Sequence, residues 1–309
     1  MNATTRQQLG DLRGRVRFDE PLSRHTTFRV GGPADALVEP ADEADLLRAL
    51  AIAHGAGAPV TVLGEGSNVL VSDLGVRGVV LRLRAGFDEI AVTRDAFGPG
   101  AHRLDAGGGV AIFRLLKECR DRRLSGLELL AGVPGTVGGA VRMNAGTYLG
   151  ETRDACVEIV KVATGAAPVP VTVSAAALGF RYRHTNLGPG DIVLRASFKV
   201  RDADSELYAK IDALLERRKQ TQPLSLPNAG SFFRNPPGDK AGRLIEAAGL
   251  KGARIGGAEV STLHANFLVN AGGATASDLR ALGEHVQAVV QRRFGVTLEW
   301  EVKLMGEWP

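Results

Sequence analysis

Nine residues, Asn228-Ala229-Gly230-Ser231-Phe232-Phe233-Arg234-Asn235-Pro236, hold the types from which a proton-handling site can be built. A small-residue turn delivers Ser231 beside two phenylalanines and a cation. One hydroxyl then sits against an apolar wall that excludes water and strengthens each polar contact near it. Met alone, such a stretch is more often a loop whose Ser and Asn cap their own backbone. The rest of the chain decides between the two.

Two glycine runs carry a different chemistry. Gly64-Glu65-Gly66-Ser67-Asn68 follows a β-prone segment at 60–63, an order that invites the dinucleotide-binding fingerprint. That motif needs a third glycine where this chain has Val69, and a helix where β-prone sequence follows, so it is excluded. No Gly-Lys-Ser/Thr follows a glycine loop, which excludes a P-loop. What remains is a turn whose backbone N–H groups, with the side chains of Ser67 and Asn68, can cradle an anion. The second run, Gly132-Val133-Pro134-Gly135-Thr136-Val137-Gly138-Gly139, continues to Asn144-Ala145-Gly146. Each Gly or Pro weakens a helix or strand, so the run reads as a loop that brings backbone close to a phosphate, or else as a tight packing corner.

At 309 residues the chain is long enough for two domains, or one large and one small. With 44% hydrophobic and 23% charged residues it is not disordered or fibrous. Cys119 and Cys156 cannot form a disulfide framework and are too few for a cysteine zinc site, so no metal centre is expected and a reducing cytoplasm fits. No apolar run approaches the ~20 residues of a membrane span. The amino terminus leads into polar sequence rather than a signal segment, so a cytoplasmic protein without membrane insertion is expected. A net charge of +4 comes without any long Lys/Arg block and with only 5% aromatic residues. That balance suits an anionic small molecule better than nucleic acid.

The elements that must position these residues follow from periodicity. Residues 1–17 read as a loosely held arm, and His25 to Ala34 as a short β-prone run closed by a Gly-Gly-Pro turn. Asp42 caps a helix with Leu46, Leu47, Leu50 and Ala53 on one face. Strands are expected at 60–63, 69–71, 79–81, 157–162, 169–173 and 191–200. A helix from the 105–111 glycine stretch to 124 places Val110, Phe113, Leu115 and Leu116 inward. Further helices are expected at 205–219, which bridges two domains, at 239–248 and at 277–294, with β-prone sequence at 265–270 and a last strand at 298–304. The plan is α+β.

Thr26-Thr27-Phe28 with Gly31-Gly32, the 64–68 turn, the 132–146 run, Tyr182-Arg183, Asn228 to Phe233, His264-Ala265-Asn266-Phe267 and Leu298-Glu299-Trp300-Glu301-Val302 stand in one order. In that order the chain resembles the MurB family, flavoenzymes that reduce an enolpyruvyl nucleotide sugar with NADPH in peptidoglycan precursor synthesis. The resemblance runs over about residues 20–305. It implies a two-lobed FAD-binding domain of the vanillyl-alcohol-oxidase (PCMH) type over 1–202, with lobes at about 1–85 and 86–202, and a smaller α+β substrate domain over 203–309. The last strand is expected to return to the first lobe. The short spacing between Arg183 and Ser231 matches the shorter of two family classes, which lacks an inserted loop bearing a substrate-contacting Tyr.

The resemblance also implies roles. NADPH gives hydride to FAD, and N5 of the reduced flavin gives it to C3 of the enolpyruvyl ether of UDP-N-acetylglucosamine. Charge develops at C2 and the adjoining carboxylate. Arg183 matches the family's arginine, whose fork suits a carboxylate and an enolate-like intermediate. Ser231 matches the proton donor to C2, and Glu301 the acidic partner. Alternation along Glu299-Trp300-Glu301 puts both carboxylates on one face, and only the following Val302 aligns the choice. FAD contacts are implied for Gly64, Glu65, Gly66, Ser67, Asn68, Gly132, Pro134, Gly135, Thr136, Gly138, Gly139 and Asn144, and substrate contacts for Lys219 and Asn235. His264 reads as a packed histidine. A monomer acting on a small molecule is expected. The chain departs from the family pattern at Leu149, Thr185, Arg234 and Trp300, and Trp300 bears on the aim of Glu301. A different flavoprotein of the same cofactor fold, or a nucleotide-sugar binding protein that keeps FAD as scaffold, are the competing readings.

Overall fold

The strand Asp191–Asp202 is the centre of the largest sheet, in the computed structural model that describes residues 1–309. Its β-branched and apolar run pairs antiparallel with Cys156–Ala163 on one side and Ala101–Gly107 on the other, and the sheet extends to Val171–Ser174 and Ile90–Thr93. One face packs Leu104, Ala106, Ile159, Ala196 and Phe198 against the helices Ile112–Asp121 and Val137–Met143. The other sets Val162, Ile192 and Leu194 against Leu46 and Leu50 of the helix Glu43–Gly55. A smaller sheet orders Arg15–Pro21, Pro33–Glu39, Val76–Leu81 and Val60–Val62, the last two parallel.

Two compact units result. One comprises Met1–Phe18, Asp35–Glu65 and Gly78–Glu216, and the other Asp19–Ala34, Gly66–Arg77 and Arg217–Pro309. The second is built on the helix Ala276–Phe294, whose Leu279, Leu282, Val286 and Val290 recur at helical spacing and are buried. They face a core of Phe28, Val30, Leu70, Phe232, Phe233, Leu244 and Leu268. Thr275 and Asp278 form a capping box at the amino end of this helix, and the Asp73 carboxylate accepts from the N–H groups of Ala276 (2.8 Å) and Ser277 (2.9 Å). A short sheet of Arg254–Ile255, Ala258–Val260 and Leu268–Asn270 lies in the same unit, as does the parallel pair Lys303–Met305 with Val69–Val71.

Several expectations change. Residues 1–17 are no loose arm: Ala3–Gly10 is a helix capped by Asn2, the strand Arg15–Pro21 follows, and Leu9 and Leu12 are buried. The Asp105-Ala106-Gly107 stretch ends a strand rather than opening a helix, and Phe113 points outward, 76% exposed, while Ile112, Leu115 and Cys119 face the core. In the 25–34 run His25 ends a short 3-10 turn, Leu22–His25, residues 26–32 are irregular, and the strand Pro33–Glu39 starts at the expected closing turn. The last strand shrinks to Lys303–Met305, because the backbone at 299–302 bonds to residues 232–234 instead. One cut near residue 202 does not separate the units: residues 19–34 and 66–77 group with the carboxy-terminal part, where the expectation placed them with the amino-terminal one.

Candidate active site

Arg183 lies in the first unit, on the tight turn Arg181-Tyr182-Arg183-His184, closed by two backbone hydrogen bonds of 3.0 Å between Arg181 and His184. It holds φ 52°, a left-handed conformation that costs an L side chain energy and fixes where the guanidinium starts. Its Nη2 donates to Gly146 O (3.0 Å), Nη1 lies 3.7 Å from Glu151 Oε1, and the guanidinium sits 4.8 Å from the Tyr182 ring centroid. Glu151 is set in turn by Asn144, whose Nδ2 donates to Glu151 Oε2 (2.8 Å) and to Arg181 O (3.0 Å) while Oδ1 accepts from Arg153 N–H (3.0 Å). Asn144 has no exposed surface. Both of its amide N–H groups and its Oδ1 are thus engaged with neighbours around Arg183.

Ser231 and Glu301 lie in the second unit, together with Lys219 and Asn235. The approach to Ser231 is an Asn turn: Asn228 Oδ1 accepts from Gly230 N–H (2.9 Å) while its Nδ2 donates to Leu226 O and Pro223 O. Gly230 takes φ 73°, the left-handed region that glycine enters freely. Beyond Ser231 the chain is fixed on both sides. Phe232 N–H donates to Asn266 O (2.8 Å), and Phe232 O accepts from Glu301 N–H (2.9 Å). Arg234 N–H donates to Glu299 O (2.8 Å), and Phe233 bridges Trp300. The backbone that carries the hydroxyl is thus tied to the backbone that carries the carboxylate. From the other side, Lys303 N–H donates to Asn68 O (3.0 Å) and Asn68 Nδ2 to Glu301 O (3.3 Å).

Trp300, unusual for the family pattern, has a seat. Its ring lies 4.7 Å from that of Phe232 and 6.0 Å from that of Phe233. The space comes from Gly283 in the helix Ala276–Phe294, where a Cβ would stand 2.6 Å from Phe232 Cε1 and 2.8 Å from Trp300 Cη2. Glu299 turns outward to Arg234 (3.3 Å). Burial and the neighbouring Arg234 push the Lys303 ammonium below its ordinary value, against the pull of Glu301 and Glu299. Asn235 Oδ1 accepts from Ala241 N–H (3.1 Å) at the start of the helix Ala241–Ala247.

The glycine runs meet in part. A Cβ at Gly64 would lie 3.1 Å from Thr136 Oγ1, so residue 64 and the second run face each other without a side chain between them. Gly132 (φ 76°) and Gly135 (φ 117°) hold backbone conformations open to glycine. Small, amide-rich loops backed by the hydroxyl of Thr136 fit the diphosphate of a dinucleotide cofactor. The second run does not stay a loop: Val137–Met143 is a helix capped by Thr136, because Val137, Ala140 and Val141 bury one face despite the two glycines. The N–H groups of Val137, Gly138 and Gly139 already donate to Val110 O, Gly108 O and Thr136 Oγ1. Gly138 and Gly139 therefore serve close approach rather than donation. Gly66, Ser67 and Asn68 fall in the second unit and Gly64 and Glu65 in the first.

Sequence reasoning assigned no role to Glu151 or Asn266, the two side chains that set the Arg183 and Ser231 segments. The only sequence signal was Asn266 within the His264-Ala265-Asn266-Phe267 motif. Burial lowers the His264 pKa, and its Nδ1 accepts from Asn266 N–H (3.2 Å), so it is a packed structural histidine. No helix of the chain is long and apolar enough to cross a membrane.

Comparison with known proteins matches two families, one after the other along the chain. The family described as "UDP-N-acetylenolpyruvoylglucosamine reductase, C-terminal domain" matches residues 222–305, and "FAD binding domain" matches residues 34–177. The UDP-N-acetylenolpyruvoylglucosamine reductase of Geobacter metallireducens is 45% identical over 298 residues, 96% of each chain. That of Anaeromyxobacter sp. strain Fw109-5 is 49% identical over 300 residues, 96% of this chain and 91% of the relative. The crystal structure of the reductase (MurB) from Thermus caldophilus superposes with a TM-score of 0.78 at 38% identity, covering 95% of this chain and 99% of that one. A Physcomitrella patens BBE-like 1 protein, at 23% identity and TM-score 0.51 over 64% of this chain and 44% of its own, shares the fold alone. The FAD-binding domain is of the PCMH type, joined to an α+β carboxy-terminal domain. The chain belongs to the UDP-N-acetylenolpyruvoylglucosamine reductase family and is an FAD-dependent oxidoreductase.

Proposed function

We propose that this enzyme reduces the enolpyruvyl ether of UDP-N-acetylglucosamine to UDP-N-acetylmuramate with NADPH, a step of peptidoglycan precursor synthesis. The observation that carries the reading is the 2.9 Å bond from Glu301 N–H to Phe232 O, which ties a carboxylate-bearing segment to the residue after Ser231. Bound FAD supplies the chemistry of accepting hydride from NADPH and delivering it to C3. The flavin would be held by residues 64–67 and 132–136.

Arg183 binds the substrate carboxylate and stabilises negative charge as it develops there, a task for a planar fork of donors. Its fit to that task is supported by the turn that fixes its backbone and by the donation to Gly146 O, which orients the guanidinium. Ser231 gives its proton to C2. A hydroxyl is a poor acid in water and does this only toward a strongly basic carbon in a site sheltered from water; Ser231 is itself partly buried and precedes the fully buried Phe232 and Phe233 in the chain. Glu301 supports the same charge shift as the acidic partner. Lys219 and Asn235 would bind the UDP diphosphate.

Purified yellow protein, given NADPH with and without UDP-N-acetylenolpyruvoylglucosamine, tests the reading. Strong stimulation of NADPH consumption is expected, with a product heavier by two hydrogens. Flavin that NADPH reduces but this substrate does not reoxidise would overturn it.

A further inference from the structure

We propose that Asn266 is a positioning residue for the Ser231 hydroxyl, an inference that rests on the assignment of Ser231 as proton donor. Asn266 is 3% exposed and stands just before the strand Leu268–Asn270. It touches residues 232 and 233 at three points. Its backbone carbonyl accepts from Phe232 N–H (2.8 Å), its Oδ1 accepts from Phe233 N–H (3.0 Å), and its Nδ2 donates to Phe233 O (2.8 Å). The side-chain amide thus pairs with both peptide groups of Phe233, as a neighbouring strand would.

The need for such a clamp lies upstream. Gly230 N–H is held by Asn228 Oδ1 (2.9 Å), but Gly230 sits at φ 73° with no atom within 4 Å of where a Cβ would be, so no side-chain packing braces the chain at that residue. Downstream, at Phe232 and Phe233, the chain that carries the Ser231 side chain is held at more points. Phe232 also accepts from Glu301 N–H, so the clamp registers the hydroxyl against the carboxylate-bearing segment at the same time. His264 Nδ1, accepting from Asn266 N–H (3.2 Å), holds the clamp from behind. Proton transfer falls steeply with misplacement of donor and acceptor, whereas hydride transfer from NADPH to the flavin needs no hydroxyl at this place. A fault in the clamp should appear in one half of the reaction only.

Asn266→Asp keeps the shape and the acceptor but puts an oxygen against Phe233 O. In the holoenzyme, anaerobic flavin reduction by NADPH and reoxidation by UDP-N-acetylenolpyruvoylglucosamine are timed separately, in H2O and D2O, beside Ser231→Ala and Val286→Ala. Reduction should stay within about twofold of the parent while reoxidation slows by ~10-fold or more with a larger solvent isotope effect, as expected of a displaced proton donor. Val286→Ala should lower thermal stability and leave both rates in place. Equal slowing of both halves by Asn266→Asp, or normal reoxidation while Ser231→Ala is slow, overturns the inference about Asn266 alone. Normal reoxidation in Ser231→Ala overturns the assignment beneath it. Asn266→Gln, which displaces the same donor and acceptor, gives the same reading if the Asp variant does not fold.

Discussion

Around Arg183 the holding groups are polar: the carboxylate of Glu151, the amide of Asn144 and the carbonyl of Gly146, with one aromatic ring beneath. Around Ser231 they are mostly apolar. Phe28, Phe232, Phe233 and Trp300 pack edge to face, with Trp300 tilted against Phe232, and one buried amide, that of Asn266, supplies the polar clamp. A permanent cation has to be aimed by partners that satisfy its other donors, since its charge is too costly to bury bare. A neutral hydroxyl that must give up a proton is better served by walls that keep water away and by a backbone fixed in register. The first arrangement should be sensitive to the number and direction of donors, and the second to volume.

Three substitutions sharpen that contrast. Arg183→Lys keeps the charge and loses the fork, and turnover should fall on the order of 10²-fold or more, as much as in Arg183→Ala, as with loss of a charge-stabilising donor. Near-normal turnover would make the residue structural. Gly135→Val puts a β-branched residue at φ 117° and should yield colourless protein, with absorbance of the purified protein as the check. Retained flavin would place that loop away from the cofactor. Gly283→Ala tests the apolar side by volume. The added methyl should raise helix propensity by up to ~1 kcal/mol, yet it meets Phe232 and Trp300, and overpacking costs ~1–3 kcal/mol, so a lowered denaturation midpoint is expected. A raised midpoint would show that the rings shift freely and do not hold Ser231.

Which parts were legible follows from how far each residue's partners lie along the chain. The helices Glu43–Gly55 and Ala276–Phe294 announce themselves by apolar spacing, the first also by Asp42 at its start, because these are local features. The Val137–Met143 helix was read as loop, since its paired glycines weigh against a helix and only burial of Val137, Ala140 and Val141 offsets them. Phe113 was placed inward by hydropathy, although the face buried is the one bearing Ile112, Leu115 and Cys119. The Ser231 stretch stood out by composition and by its place in an ordered set of motifs. Asn266 stands in one of those motifs but its role was not legible, because its partner is Phe233, 33 residues away, and is bonded through peptide groups that every residue possesses. Glu151 escaped for a similar reason: its effect passes through a turn near Arg183 that no periodicity marks.

The separate rates of the two half-reactions in Ser231→Ala test the central claim most directly. Reduction of the bound flavin by NADPH should match the parent enzyme, and its anaerobic reoxidation by UDP-N-acetylenolpyruvoylglucosamine should slow by about 10²-fold or more, the usual worth of a general acid. Equal loss in both halves, or unchanged reoxidation, would contradict the assignment of Ser231 as the proton donor.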